Sequence, residues 1–274
     1  MPEGPEIRRA RDRLAAAIEG RTVQRVDLLL PALKSWNGKF DGCKVESIRS
    51  RGKAMLTRFS NGLSIYSHNQ LYGRWLVTDA GQLPHTRRQL RLAIHCEHHS
   101  ALLYSASDIE VWPTEQLDQH PFLQKLGPDV LEPSTSSALI RERLREKRFI
   151  GRSLGALLTD QSFVAGLGNY LRCEILHCAG QHPVRRPRDL PDDELKQLAQ
   201  QILALPRQSY HSGGVTNDLQ RAARLMDQAG SFEAARFHVF RRAGLPCYRC
   251  GTAIVQIRQG GQGCYLCPTC QPQY

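Results

Sequence analysis

The sequence predicts an α+β chain in two parts. An N-terminal β-sandwich led by one helix comes first, and a helical region follows that ends in a small β-hairpin held by four cysteines. Three observations predict this. Short β-rich runs separated by tight turns crowd residues 22–112, apolar residues recur with helical period beyond residue 133, and two Cys-x2-Cys pairs lie near the C-terminal end. The length of 274 residues gives room for two domains and an ample core.

In chain order, residues 5–19 read as a helix, because Ile7, Ala10, Leu14, Ala17 and Ile18 fall on one face and Gly20 suits the position after the last turn. Arg8, Arg9, Arg11 and Arg13 lie elsewhere on it, facing either phosphate or solvent. Runs at 22–30, 44–50, 54–59, 63–67, 75–78, 91–96 and 101–104 read as strands, and Asn61-Gly62 is a strong hairpin signal between two of them. The leading helix is expected to pack on the edge of this sandwich. Pro121, Gly127-Pro128 and Glu132-Pro133 punctuate the chain, so the domain boundary is placed near residue 130.

Helices are then expected at 137–147, at 154–159 with Ser153 as N-cap, at 170–178 after Gly166-Leu167-Gly168, and from Pro191 onward with Leu195, Leu198, Ile202 and Leu205 on one face. The resulting division is a sandwich domain at 1–125, a linker at 126–133, a helical domain at 134–230 and a cysteine-bound hairpin at 231–274.

Nine cysteines are an odd number, and five of them cluster near the C-terminal end. Cys247-x2-Cys250-x16-Cys267-x2-Cys270 has the spacing of two knuckles that wrap four thiolates around one tetrahedral ion. Zinc suits an all-sulfur site of this kind, and four protein ligands leave no open position, so the ion is structural. Strands at 254–258 and 263–266 around Gly260-Gly261 make the segment a zinc-bound hairpin, with Cys264 outside the ligand pattern. Cys43, Cys96, Cys173 and Cys178 have apolar neighbours and read as buried small hydrophobes.

The net charge of +11 points to a polyanionic partner. No apolar run approaches the ~20 residues of a membrane helix, and a start with two prolines and two glutamates does not resemble a signal peptide. With Met1 removed, Pro2 carries a secondary amine; a terminal amine titrates near ~8, so a fair fraction of it is unprotonated and nucleophilic near neutral pH. Glu3 and Glu6 stand beside it as candidate acids. The same prolines also suit an ordinary helix entry.

Three further stretches carry two readings each. Arg51-Gly52-Lys53 either aims Lys53 inward through a tight turn or leaves it on the surface. His68-Asn69-Gln70-Leu71-Tyr72-Gly73 is either a wedge that fills the gap left by a flipped base or a plain strand end. The glycines before Asn169 either let a helix start approach a phosphate or close an ordinary turn.

Taken together, Met1-Pro-Glu-Gly-Pro-Glu6, Arg51-Gly-Lys53, Tyr66-Ser-His-Asn-Gln-Leu-Tyr-Gly73, Tyr104-Ser-Ala-Ser-Asp108, Gly166-Leu-Gly-Asn169 and the four-cysteine finger closely resemble the formamidopyrimidine-DNA glycosylase/endonuclease VIII family over nearly the whole chain. Gly4 resembles the endonuclease VIII branch. The resemblance implies base excision repair by a glycosylase that is also an abasic-site lyase. Pro2 would form a Schiff base with the deoxyribose. Glu3 would donate a proton. Lys53 would bind phosphate and serve β-elimination, with δ-elimination following. Gln70, Leu71 and Tyr72 would fill the void in the duplex, Lys125 and Asn169 would meet phosphates, and the central helices would form a helix-two-turn-helix motif. The expected partner is double-stranded DNA with damaged bases or abasic sites, met by a cytoplasmic monomer.

One departure matters. The family usually carries an arginine five residues before the third zinc cysteine, and Gln262 stands there in this chain. Glutamine cannot grip a phosphate as a bidentate cation, so weaker DNA binding and impaired δ-elimination are expected, with Arg258 as a candidate substitute. The competing readings are a non-catalytic sensor of DNA damage and a glycosylase for oxidised purines.

Overall fold

The computed structural model describes residues 2–229 and 231–273. Contacts divide the chain into two compact units, residues 1–125 and 126–274.

The first unit opens with α1 (Gly4–Ile18), whose buried stripe is Ile7, Ala10, Leu14 and Ile18. Eight strands follow: β1 (Val23–Leu28), β2 (Val45–Arg51), β3 (Ala54–Phe59), β4 (Leu63–His68), β5 (Arg74–Asp79), β6 (Leu90–Cys96), β7 (His99–Tyr104) and β8 (Asp108–Pro113). They form two antiparallel sheets, β1-β6-β7-β5 and β2-β3-β4-β8. One core joins them: Val26, Leu28, Leu92, Ile94 and Leu103 from the first sheet meet Val45, Ile48, Met55, Phe59 and Ile65 from the second, with Ile7, Leu14 and Ile18 of α1. The helix touches β2 and β3 of one sheet and β5 and β7 of the other, so it closes the sandwich along an edge. A short helix, α2 (Pro121–Gln124), ends the unit.

β8 is the strand that no predicted run covers. Its inward residues Ile109 and Val111 are separated by Asp108, Glu110 and Trp112, and it is recruited by pairing with β4 from Leu63↔Pro113 to His68↔Asp108. Cys43 and Cys178 are only half-buried, against the expectation of full burial, whereas Cys96 and Cys173 are buried.

The second unit contains α3 (Ser137–Arg145), α4 (Leu154–Leu157), α5 (Asn169–Cys178), α6 (Asp192–His211), α7 (Leu219–Ala229), α8 (Phe232–Ala235) and the ribbon β9 (Val255–Gln259) and β10 (Gln262–Leu266). Ser136 caps α3 by accepting from the Leu139 N–H at 3.1 Å. Ser153 stands at the N-cap of α4 but makes no capping bond; its hydroxyl accepts instead from Gln259 Nε2 at 3.4 Å. Residues 126–133, expected to be a linker, lie within this unit: Val130 is buried in its core and Asp129 pairs with Ala165.

α5 is the axis of the unit, with Tyr170 through His177 all buried. Two of those residues are ionic. The Glu174 carboxylate accepts from the Thr216 hydroxyl at 2.7 Å and from the backbone N–H groups of His238, Val239 and Phe240 at 2.8, 2.9 and 2.9 Å. Four donors make the burial of a carboxylate tolerable and pin the segment that leads into the cysteine ribbon onto α5.

Candidate active site and nucleic-acid interface

In the first unit the site forms where α1 begins. Glu3 is the N-cap residue, 2% exposed, and its own N–H donates to Glu6 Oε2 at 3.0 Å. Glu6 is held in turn by Arg9, whose Nη2 lies 2.9 Å from Oε1. Glu3 and Glu6 close the helix start reciprocally as a capping box, and the buried Glu3 is the carboxylate next in sequence to Pro2. Pro2 is half-buried. The expected removal of Met1 concerns a residue outside the described residues.

Lys53 comes to the same place through the β2–β3 hairpin. The pairing Arg51↔Ala54 leaves Gly52-Lys53 as a two-residue turn, and Gly52 at φ 59 takes the left-handed first position that such a turn assigns to glycine. Lys53 is half-buried. Burial lowers its pKa from the ordinary lysine value, and the Glu3 carboxylate opposes that shift by favouring the cation. His68, at the end of β4, is pushed down to about 4 by burial and by the Lys53 charge, so it is neutral at pH 7. Its Nδ1 accepts from the Gln70 N–H at 3.0 Å, which leaves the proton on Nε2.

The electrostatic contact between Glu3 and Lys53 has a measurable consequence. On DNA that already contains an abasic site, no base needs to be protonated, so strand nicking there tests the expectation that Lys53 serves elimination. Glu3→Gln removes the charge that holds the lysine protonated, and the pH profile of nicking is expected to move to lower pH. A profile that stays in place would show that Glu3 does not act on Lys53.

Beyond β4 the chain makes a strained turn. Gln70 has φ 50, a left-handed conformation that costs a non-glycine residue on the order of 1 kcal/mol. It is held by the His68 bond and by the Ser107 hydroxyl, which donates to Gln70 Oε1 at 2.9 Å. The turn lifts Leu71 and Tyr72 to 53% and 71% exposure. Arg88 braces it by donating to the Tyr72 carbonyl at 2.7 Å. Below it Asn69 is buried, with Oδ1 lacking a hydrogen-bond partner. Two apolar groups in water on a braced, strained tip are what a wedge for a base stack requires. Lys125 is exposed at the C-cap of α2.

In the second unit Gln161 clamps the glycine loop, accepting from the Gly166 N–H at 3.0 Å and donating to the Leu167 carbonyl at 2.8 Å. Asn169 is the first residue of α5, and Gly168 takes the N-cap position. The Asn169 amide donates to the Gly263 carbonyl at 3.0 Å, and its Oδ1 accepts from Arg172. Arg172 is 1% exposed and also reaches the Gly155 and Gln259 carbonyls at 3.4 and 3.5 Å. The helix start and the ribbon are therefore one assembly, locked by a buried guanidinium.

The ribbon register decides the standing of Arg258. Gln262 pairs with Gln259 and Gly263 with Arg258, across a Gly260-Gly261 turn with φ 57 and 77. Paired residues share a face and successive residues alternate. Gln262 therefore lies on the face of Ile257, Cys264 and Leu266, which is turned to α5, while Arg258 lies on the opposite, outward face. Arg258 and Gln262 thus project from opposite faces of the ribbon, which weighs against Arg258 as a substitute.

The sulfurs of Cys247, Cys250, Cys267 and Cys270 lie within 4.8 Å of one another, as four ligands at about 2.3 Å from one ion require. The Arg249 N–H donates to Cys247 Sγ and the Cys270 N–H to Cys267 Sγ, each at 3.4 Å, a pattern that stabilises thiolates inside each knuckle. These four residues fit and hold one structural zinc.

Residues 1–107 match the formamidopyrimidine-DNA glycosylase N-terminal domain, 126–220 the H2TH domain of that glycosylase, and 244–273 the zinc finger found in FPG and IleRS. Endonuclease 8 of Escherichia coli is 46% identical over 271 residues, which is 99% of this chain and 100% of that one. The chain belongs to the formamidopyrimidine-DNA glycosylase/endonuclease VIII family. Endonuclease 8 of Shigella sonnei matches to the same extent. Among solved structures, Lactococcus lactis formamidopyrimidine-DNA glycosylase bound non-covalently to abasic-site DNA superposes with a TM-score of 0.81, at 22% identity, over 98% of this chain and 99% of that one. The same glycosylase with DNA containing an oxidised pyrimidine gives 0.82, at 22% identity, over 99% and 100%. At that identity the structures establish the family fold: β-sandwich, H2TH helices and zinc finger.

Within this family fold, the structure brings Glu3 and Lys53 together and sets Gln70, Leu71 and Tyr72 on one tip. It also ties Asn169 to the ribbon that carries Gln262. His68, Arg172 and Glu174 are the residues that sequence reasoning did not single out as site residues. Their signal was faint: Arg172 and Glu174 stand two positions apart in a largely apolar helix, so they point to different sides of it, and only the structure shows both sides buried.

Proposed function

We propose that the chain is a bifunctional DNA glycosylase and abasic-site lyase of base excision repair, which removes oxidised pyrimidines from duplex DNA and opens the strand at the emptied sugar. The observation that carries this reading is a buried Glu3, next in sequence to Pro2, acting electrostatically on Lys53. Once Met1 is gone, the Pro2 nitrogen attacks the sugar C1′. The bond from C1′ to the base breaks with its electron pair leaving on the base, and the C1′–O4′ bond then breaks with its pair leaving on O4′, Glu3 supplying a proton to the base or to the ring oxygen. The resulting ring-opened iminium acidifies C2′. Lys53, whose lowered pKa makes it a better base than an ordinary lysine, takes that proton, and the C3′–O bond breaks to release a phosphate end.

In this reading Leu71 and Tyr72 enter the stack as the damaged nucleotide leaves it, with Gln70 facing the opposite strand. Lys125, Asn169 and Gln262 lie along the phosphates. Poorly stacked, damaged pyrimidines cost less to extrude, which favours them physically. The block 1–125 supplies the chemistry, 134–230, with residues 126–133 packed into the same unit, grips the backbone, and 231–274 is the finger. The enzyme works as a monomer in a bacterial cytoplasm.

Borohydride trapping on duplexes carrying dihydrouracil, 8-oxoguanine or an abasic site tests the proposal. The expected result is an adduct with the abasic site and with dihydrouracil. A preference for 8-oxoguanine would make it an oxidised-purine enzyme. Binding without any adduct would make it a damage sensor.

Gln262 gives a second test. With an uncharged Gln262 where the family usually carries an arginine, the wild-type chain is expected to leave much of its product at the β-elimination stage. Gln262→Arg is expected to bind DNA more tightly, to steepen the dependence of log affinity on log salt by about one unit per added phosphate contact, and to raise the fraction of 3′-phosphate ends. Complete conversion to 3′-phosphate by the wild-type chain would refute the idea.

A further inference from the structure

Two cysteines that take no part in the zinc site face each other across the joint between α5 and the ribbon. The Cys173 thiol donates to Cys264 Sγ at 3.9 Å, and the Tyr265 N–H donates to Cys173 Sγ at 3.4 Å. Both side chains are buried, at 0% and 1% exposure, in the small core formed by Val239, Ile254 and Leu266. We propose that Cys173 and Cys264 form an oxidisable dithiol, a modification site at which a peroxide joins the ribbon covalently to α5.

The geometry distinguishes this pair from the other non-ligand cysteines. Among the described residues, Cys43, Cys96 and Cys178 have no sulfur neighbour within hydrogen-bonding reach. Cys173 and Cys264 lie 91 positions apart in the chain, yet their sulfurs are 3.9 Å apart, so a closure of about 2 Å brings them to the bonding distance of about 2.0 Å. The roles are asymmetric. Cys264 receives the Cys173 S–H and is also favoured as thiolate by the Arg172 guanidinium, against the opposing effect of burial. Burial first, and then donation to Cys264, keeps Cys173 a thiol.

The chemistry balances with hydrogen peroxide as the oxidant. The Cys264 sulfur attacks one peroxide oxygen, the O–O bond breaks, and a sulfenic acid and one water result. The Cys173 sulfur then attacks the Cys264 sulfur and expels the hydroxyl as a second water. Two thiols lose two electrons and two protons, and one peroxide becomes two waters. The product fixes the strand that carries Gln262 to the helix that begins at Asn169, and thiols reverse it.

The test uses the zinc-loaded full chain. It is treated with a small excess of hydrogen peroxide, alkylated under denaturing conditions and digested without reduction, with zinc release followed by a colorimetric chelator. The expected result is a Cys173–Cys264 linked peptide pair, two mass units lighter than the sum of the free peptides, formed while zinc is retained and lost on treatment with dithiothreitol. Cys173→Val is expected to leave Cys264 as a sulfenic acid that dimedone traps. Should that variant not fold, the wild-type peptide map decides alone. If Cys264 remains fully alkylatable after peroxide has already oxidised the zinc cysteines and released the metal, the proposal is overturned. A disulfide from Cys264 to a zinc ligand overturns it equally.

Discussion

A chain carrying two extra residues ahead of Pro2 is expected to give no borohydride-trapped adduct with abasic DNA, while still binding the same duplex within a few-fold of the unextended chain. The extension converts the Pro2 nitrogen to an amide, whose lone pair is delocalised and cannot attack C1′. Losing the group that forms the covalent intermediate costs on the order of 10³- to 10⁶-fold in turnover. Glu3→Gln provides the contrast. It removes the proposed proton donor for base release, with an expected loss of about 10²- to 10⁴-fold on damaged-base duplexes, but leaves the amine in place, so it should still be trapped on a ready-made abasic site. The measurement is a denaturing gel of trapped complexes beside a mobility-shift titration. An adduct formed by the extended chain at the unextended rate would end the amine mechanism and leave a lysine as the nucleophile, with Lys53 the first to examine.

The second large effect is expected from Cys250→Ala. Cys250 is exposed, so its loss opens no cavity, and any effect reports on the metal. Structural zinc contributes roughly 10–16 kcal/mol of apparent binding energy to small cysteine folds. The core beneath the ribbon, built from Val239, Ile254, Leu266 and a few cysteines, is too small to hold those strands without it. The variant is expected to purify with little or no zinc, to lose the β9–β10 pairing, and to bind DNA at least tenfold more weakly, with the sandwich intact. Zinc content, amide exchange of residues 255–266 and a binding titration check this. Full zinc occupancy in the variant would mean that a fifth group, with Cys264 the nearest thiol in sequence, completes the shell.

Much of the fold was legible because its signals are local. The α1 stripe of Ile7, Leu14 and Ile18 follows from helical period, and Ala54–Phe59 is a strand in both reading and structure. The knuckle spacing alone selects the four thiolates. The proposed trio of Pro2, Glu3 and Lys53 was read from its motifs, but the coupling of Glu3 to Lys53 was not, because it depends on a hairpin and a helix start that lie fifty residues apart in the chain. β8 was missed since its polar residues mask two inward ones, and only the partner strand supplies the missing pattern.

By itself, then, the sequence determined whatever depends on nearest neighbours along the chain: where helices and hairpins begin, which cysteines bind metal, and which motifs mark the family. The tertiary structure decided what depends on groups brought together from afar. It turned Arg258 outward by strand register, set Arg172 and Glu174 as buried ties on α5, and held His68 neutral by burial beside Lys53. It also placed Cys173 against Cys264. The physical reason is that dielectric environment, strand facing and sulfur contact are properties of a packed neighbourhood, and no residue carries them before that neighbourhood forms.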